Sequence, residues 1–330
     1  MKHYIILNII LLFSYSLFSQ SWPQVYGEPY KNDYIQSIYN DYDGGFLVLA
    51  GYDYNYLWVL KTDVNGNVLW EKNFEDAYER ANRPTKIVRD YDGNIIIVGS
   101  RLLNDISCWP HMIKMDPCGD MIQCYEYADT NYQWGWFEDV LVLDNNDILC
   151  LAKWESQEQI DQIFLHYIDA DGNHLWKRSY ASRTTYPEIA SRKAYELKHM
   201  NSSYWLTGYC YHSYPGNPNH WFLHPLYIKI DSAFNEEWIL PFGVTDSLHG
   251  FSVSSVQISD SVFMGVGRYY DYDTSISQIS DKSWLIFYDS DGNEKGYNLI
   301  PHENIDTGVI VNGTFLIERM NDSLFVTQSF

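Results

Sequence analysis

Asp33, Arg83, Glu138, Asp139, Arg192, His249 and Asp306 are the residues whose types and places could do chemistry together. They fall near the beginnings of successive strand-like runs, at comparable points of a recurring pattern. Two carboxyl groups facing one cavity about 5–10 Å apart could cleave a glycosidic bond as acid and base or nucleophile. The same acids, mixed with arginines and one imidazole, could instead hold a polar ligand; a solvated rim of surface charge is the plain alternative. A second group lies in two long loops: Tyr211, Tyr214, His220 and Trp221 in YCYHSYPGNPNHWF (209–222), and Tyr269 and Tyr270 in RYYDYDTSISQISDKSW (268–284). Loops on a rigid scaffold commonly carry function, and exposed Tyr and Trp offer flat amphipathic faces to sugar rings or protein partners. With 29 tyrosines spread along the chain, packing accounts for many of them.

Other chemistry finds little support. Asp-x-Asp-Gly-Asn at 169–173 and 289–293, and Asp-x-Asn-Gly-Asn at 63–67, resemble the opening of a calcium loop, but the glutamate that such a loop needs at its twelfth position is replaced by Tyr180 and Ile300. They read as hairpin turns in which Asp bonds its own backbone and Gly takes positive φ. There is no G-x-S-x-G elbow, no H-E-x-x-H and no P-loop. Cys108, Cys118, Cys124, Cys150 and Cys210 show no zinc-type spacing. One disulfide among the first three is open in an oxidising compartment, as is a set of buried thiols. No metal and no cofactor is expected.

The elements that must position these residues come from an internal repeat. WVLKTDVNGNVLWEKNF (58–74) returns as HMIKMDPCGDMIQCYEY (111–127), FLHYIDADGNHLWKRSY (164–180), LYIKIDSAFNEEWILPF (226–242) and WLIFYDSDGNEKGYNLI (284–300). Its sixth residue is always Asp; its thirteenth is Trp70, Gln123, Trp176, Trp238 and Gly296. A second hairpin precedes each copy, as in YIQSIYNDYDGG (34–45) followed by FLVLAGYDY (46–54). Four antiparallel strands, a to d, therefore recur every ~50–60 residues, the signature of a stacked supersecondary unit. The b and c runs (FLVLAG, IIIVG, VFMGVG) are continuously apolar, which predicts sheets buried on both faces. Sheets packed face to face around an axis make a β-propeller of four-stranded antiparallel blades; a β-sandwich would show alternating strands.

Five complete blades fit the chain. TFLIERMNDS (314–323) and LFVTQSF (324–330) supply a and b strands of a partial sixth, which SWPQVY (21–26) would complete as a lone N-terminal d strand. Either that blade is incomplete or the polypeptide is a piece of a larger propeller; truncation is favoured, because a missing c strand leaves backbone groups unpaired. Residues 1–19 have a basic start, the apolar run Ile5–Phe18 and a small residue before Gln20, and predict an export signal ahead of a single domain over 20–330. Fourteen apolar residues fall short of the ~20 that span a bilayer, so no transmembrane segment is expected after signal removal.

The chain of 330 residues is 46% hydrophobic, ample for one large core, and carries a net charge of −21, which becomes one unit more negative without the signal. Such a surface argues against nucleic acid and against anionic membranes. The units DGGFLVLAG…LWVLKTDVNGNVLWEKNF and DSVFMGVGR…WLIFYDSDGNEKGYNL resemble the repeats of secreted bacterial β-propeller proteins common in Bacteroidota. The Gly-x-x-x-Trp element is also similar to blades of quinoprotein-type and kelch-like propellers, but without their functional motifs. The resemblance implies the fold and a secreted or cell-surface location, and no cofactor. The expected function is a binding or scaffold module for a carbohydrate or protein ligand; the alternative is a carbohydrate-active hydrolase or lyase using acids at the channel mouth.

Overall fold

The computed structural model describes residues 25–27, 33–52, 56–74, 82–104, 107–156, 161–182, 184–214, 217–244, 249–273, 278–301, 314–320 and 323–329. All regular structure among them is strand. Blade 1 is β1 (Asp33–Asn40), β2 (Phe46–Tyr52), β3 (Tyr56–Thr62) and β4 (Val68–Phe74); blade 2 is β5 (Asn82–Arg89), β6 (Ile95–Asn104), β7 (Ser107–Met115) and β8 (Met121–Glu126). Blade 3 is β9 (Trp134–Val142), β10 (Ile148–Glu155), β11 (Asp161–Ile168) and β12 (His174–Tyr180). Blade 4 is β13 (Ile189–Met200), β14 (Ser203–Tyr214), β15 (Asn217–Ile230) and β16 (Glu236–Pro241); blade 5 is β17 (Gly250–Gln257), β18 (Val262–Asp273), β19 (Gln278–Asp289) and β20 (Glu294–Pro301). A hairpin of β21 (Thr314–Met320) and β22 (Ser323–Ser329) follows, with β21 against β17 and β18. Each blade is an antiparallel meander; blades 2 and 3 also touch through one parallel pair, Cys108 with Trp134.

The apolar b strands are buried on both faces because each face meets a different blade. In β6, Ile95 and Ile97 pack with Leu47, Leu49 and Val59 of blade 1, while Ile96 and Val98 pack with Phe137, Val140 and Cys150 of blade 3. In β10, Leu149 and Leu151 turn instead to Leu197, Leu206 and Ile228 of blade 4. Between blades 4 and 5 the filling is aromatic: Trp205, Tyr227 and Phe242 meet Phe263, Trp284 and Tyr288. Each such side chain, taken fully out of water, contributes about 1.5–3 kcal/mol. The architecture is a β-propeller.

The c–d turns close as the sequence predicts. In the first, Asn65 and Asn67 amides donate to Asp63 Oδ1 at 2.8 Å and the Asn67 side chain donates to Oδ2. The Asp169, Asp231 and Asp289 turns repeat the pattern. The ninth position, Gly66, Gly119, Gly172 or Gly292, has φ between +81° and +86°.

The last residue of a repeat, at or just past the end of its d strand, reaches this same ninth position in the following blade. Tyr127 donates to the Gly172 carbonyl at 3.1 Å and Tyr180 to the Phe234 carbonyl at 2.8 Å. The Tyr26 hydroxyl donates likewise to the Gly66 carbonyl of blade 1. Tyr26 thus stands to blade 1 as the end of a d strand stands to the next blade, in keeping with an N-terminal strand that completes the ring. Val25–Gly27 are not themselves strand, and 21–24, like residues 1–19 where an export signal is expected, lie outside the described residues.

One expectation changes. The segments 209–222 and 268–284 are long hairpins rather than loops: β14 runs on through Tyr214 and β15 starts at Asn217, while β18 runs through Asp273 and β19 starts at Gln278. Their Tyr, Trp and Ile content suits a pleated surface, and pairing continues over Ser213 with Trp221 and Tyr270 with Asp281. All five cysteines are free: Cys108, Cys150 and Cys210 are buried, Cys124 is half-buried and Cys118 is exposed.

Candidate functional site

Every a strand of the five blades carries a β-bulge at the same place. The ladder skips Gln36 in β1, Thr85 in β5, Glu138 in β9, Tyr195 in β13 and Val253 in β17. An extra residue twists the strand and re-aims its side chain. Here Gln36, Thr85 and Glu138, with Tyr34, Arg83 and Trp136 two positions earlier, line one cleft of about 540 Å³ that Pro84, Lys153 and Lys193 complete. That volume is ordinary for a small-molecule or saccharide site.

The bulge also explains what points the other way. Asp139, next to Glu138, is 4% exposed and accepts the Leu197 amide of blade 4 at 2.9 Å. Glu196, next to Tyr195, accepts the Ser255 amide and the Ser254 hydroxyl of blade 5, both at 2.7 Å. Thr85 donates to the Phe137 carbonyl at 2.7 Å. These links lace a strand to a strand around the axis, and charge-assisted bonds of this kind are among the stronger ones.

Within the cleft the charges are arranged in pairs beside aromatic faces. Lys193 Nζ lies 2.8 Å from Glu138 Oε1 and 4.5 Å from the centroid of Tyr195. Lys153 Nζ lies 2.8 Å from Asp161 and 4.9 Å over the ring of Trp136, which stacks with Trp134 at 6.1 Å. Arg83 is exposed, with no ion pair among the described residues. An aromatic path leads away from Lys193: Tyr195 to Tyr209 at 5.7 Å and on to Tyr211, and Tyr195 to Phe251 at 6.5 Å and on to Tyr270. Burial raises the Tyr195 hydroxyl far above the ordinary tyrosine range and the Tyr209 hydroxyl to about 12. Neither phenol is set to serve as a base near neutral pH.

The residues singled out in the sequence divide accordingly. Arg83 and Glu138 meet in the cleft, and Tyr211 and Tyr270 lie on the aromatic path beside it. Asp139 and Arg192 do not face the channel. Arg192 is 1% exposed and donates to the Ala181 carbonyl, fixing the exit of β12; the bulges put both residues on the face turned to the interior. His249 stacks on Phe222 at 4.3 Å and lies 5.6 Å from His224, between blades 4 and 5. Tyr269 packs edge-on against Trp284 at 5.3 Å, and Trp221 is 38% exposed on β15. Asp33 opens β1, and Tyr214 and His220 belong to β14 and β15, but their side chains, and all of Asp306, lie outside the described residues. Sequence reasoning missed Trp136, Lys153, Lys193 and Tyr34. The signal for Trp136 was present in Trp134-Gly-Trp136, two indoles on one face of a strand.

A second cavity of about 630 Å³ opens at the other end of the same a strands, lined by Tyr39, Tyr42, Arg89, Tyr91, Pro117 and Leu141 among others. Its Arg89 is clamped to Asp41 by two bonds of 2.7 Å, and Lys61 Nζ is 2.9 Å from the same carboxylate. Burial alone would raise the Asp41 pKa, but hydrogen bonds from Arg89 and Lys61 outweigh it and hold it at about 2. This cation is consumed by the fold. Among the described residues, no three His, Cys, Asp or Glu are placed to hold a metal, and no helix is long and apolar enough to cross a membrane.

No protein-family model and no curated sequence matches the chain. Among solved structures, a family-25 polysaccharide lyase, an ulvan lyase, is similar with a TM-score of 0.55 at 11% identity, over 87% of this chain and 78% of that one. The same enzyme bound to -[GlcA(1-4)Rha3S]- is similar at 0.54, with 12% identity over the same shares. A protein of unknown function from Bacteroides caccae is 16% identical over 66% of this chain and 70% of that one, at a TM-score of 0.42. At such identities the likeness to the lyase shows the fold alone: this chain is an all-β propeller of four-stranded antiparallel blades.

Proposed function

We propose that the protein is an exported binding module, a signal peptide over 1–19 followed by one propeller domain, and that it holds a saccharide in the cleft at the starts of the a strands. The observation that carries this reading is the cleft itself. Bulges in three consecutive blades aim Gln36, Thr85 and Glu138 into one cavity that Trp136, its ring stacked with that of Trp134, also lines. A flat indole beside polar groups is suited to a sugar ring, whose faces are apolar and whose edge carries hydroxyls. Tyr211 and Tyr270, reached through Tyr195, extend the aromatic surface beyond one ring's length.

Binding is favoured over hydrolysis. Among the described residues Glu138 is the single carboxylate lining the cleft, and Lys193 holds it, whereas glycoside cleavage needs two. A glycan array probed with the mature chain tests the proposal: retention of at least one oligosaccharide is expected, and a blank array would leave a protein as the ligand. Turnover by the wild-type chain that disappears in Glu138→Gln would replace binding with catalysis.

A further inference from the structure

The cleft gathers cations in a chain that is otherwise strongly acidic. The protein carries 43 Asp and Glu against 22 Lys and Arg, yet among the described residues the cleft is lined by Arg83, Lys153 and Lys193 with Glu138 as its one acid, Asp161 pairing with Lys153 from outside that lining. Arg83 is exposed, and it makes none of the inter-blade links that employ Asp139, Glu196 and Thr85. Lys153 and Lys193 each spend one bond on a carboxylate, and an ammonium has three donors. Their heads sit beside ring faces rather than out in bulk water, Lys153 over Trp136 and Lys193 over Tyr195.

We infer that the saccharide bound here is anionic, its uronate or sulfate groups meeting Arg83, Lys153 and Lys193 while a ring lies on Trp136. This rests on the carbohydrate reading above and names the class of sugar. A hydroxyl-only sugar would be served by neutral donors and acceptors and would gain little from three cations, whereas a carboxylate or sulfate oxygen forms charge-assisted bonds about twice as strong as neutral ones. Low-dielectric walls focus the field of clustered charges on a bound group. The acidic remainder of the surface does not cancel this, because charges beyond about 8 Å are screened at physiological salt. The carboxylate of Glu138 holds Lys193 in place when the cleft is empty, and an entering anion would replace it as partner.

Titration calorimetry on the full mature chain tests the inference, with three probes of matched length: oligogalacturonate for the carboxylate, dextran sulfate oligomer for the sulfate and cello-oligosaccharide as the neutral sugar. At low salt, at least one anionic probe is expected to bind about tenfold or more tighter than the neutral one, with the gap closing as ionic strength rises. Arg83→Glu, at an exposed position, is expected to lose about tenfold or more toward that anion and clearly less toward the neutral probe. Lys153→Gln should lower anion affinity in the same sense. Preference for oligogalacturonate identifies the carboxylate, and preference for dextran sulfate identifies the ester. Equal binding of neutral and anionic probes, or an Arg83→Glu variant that binds the anion unchanged, overturns the charge inference and leaves the carbohydrate reading standing. Failure of every probe, together with a blank glycan array, overturns both.

Discussion

The six-membered ring of Trp70 sits so close to Gly119, the turn glycine of the next blade, that a Cβ on the glycine would lie 2.9 Å from its ring carbons. The contact recurs around the propeller. Trp238 meets Gly292 in the same way and donates its indole N–H to the Ser290 carbonyl at 3.0 Å. Blade 2 has Gln123 in place of the tryptophan, and Tyr125, two residues on, covers Gly172 and donates to the Asp171 carbonyl at 2.8 Å. In blade 4 the glycine itself is replaced by Phe234, and Trp176 meets it edge to face at 4.9 Å. At three of these four joints the thirteenth residue of one repeat is therefore a staple onto the ninth residue of the next, and at the other the fifteenth, Tyr125, takes its place.

Gly119→Ala should be destabilising twice over. Gly119 has φ +85°, which costs an L-residue about 1–2 kcal/mol, and its new methyl group would push Trp70 off the turn. The expected loss is about 2 kcal/mol or more, read as a lower midpoint in urea with unchanged slope. Phe234→Gly should also destabilise: it relieves a φ of +63° but gives up stacking on Tyr204 and Trp176, each ring pair being worth about 0.5–1.5 kcal/mol. An unaltered midpoint for Gly119→Ala would remove the staple as a source of stability.

His166 and His111 set a pH limit. His166, 2% exposed, accepts the Trp154 indole N–H at 3.0 Å and faces His174 at 5.0 Å. Burial first, then the charge of His174, lowers its pKa to about 3; burial and Arg101 lower His111 to about 4. Both are neutral in the folded protein, while the unfolded chain takes up their protons below about pH 6.5. Their contribution is complete above pH 6.5 and is lost as the pH falls toward 4, by about 1.4 kcal/mol per pH unit for each group. Unfolding free energies between pH 7 and 5 should show that slope, and His166→Gln should flatten it. A slope identical in the variant would exclude His166 as its source.

Asp41 acts at lower pH. Its carboxylate, held at about 2 against an ordinary 3.8, stabilises the fold above pH 3.8, and that stability disappears as the pH falls through 2. Asp41→Asn leaves Arg89 and Lys61 buried without their shared acid, and breaking such a pair costs about 3–5 kcal/mol. The variant should unfold at a clearly lower denaturant concentration at neutral pH and differ little from wild type near pH 2. Equal stability at pH 7 would contradict the network's role.

The ring of blades was legible in the sequence because it is written in features that survive averaging: a fixed Asp, a recurrent aromatic and apolar runs too continuous for a sheet with a wet face. The cleft was not. A bulge adds one residue to a strand and leaves composition and period almost unchanged; Gln36, Thr85, Glu138, Tyr195 and Val253 have no chemical type in common. Yet that one residue decides which of Glu138 and Asp139 faces the cavity. Counting positions from the strand starts put both on the rim, together with Arg192, and passed over Trp136 and Lys193. The hairpins holding Tyr211 and Tyr270 were read as loops because Pro, Gly and Asn at the tip of the first, and Asp, Thr and Ser at that of the second, hid how far pairing extends.

Two indoles, half-buried Trp136 and exposed Trp221, tell the cleft from the β15 hairpin. Trp136 lies in the bulge-built cavity and Trp221 on the long β15 hairpin of blade 4. The most direct measurement is the affinity of Trp136→Ala and Trp221→Ala for an oligosaccharide retained by the wild-type chain. Trp136→Ala should bind at least about tenfold more weakly, as expected on losing a stacking platform in a saccharide site, with Trp221→Ala indistinguishable from wild type. Full affinity in Trp136→Ala with loss in Trp221→Ala would contradict the assignment and move the site to the hairpin.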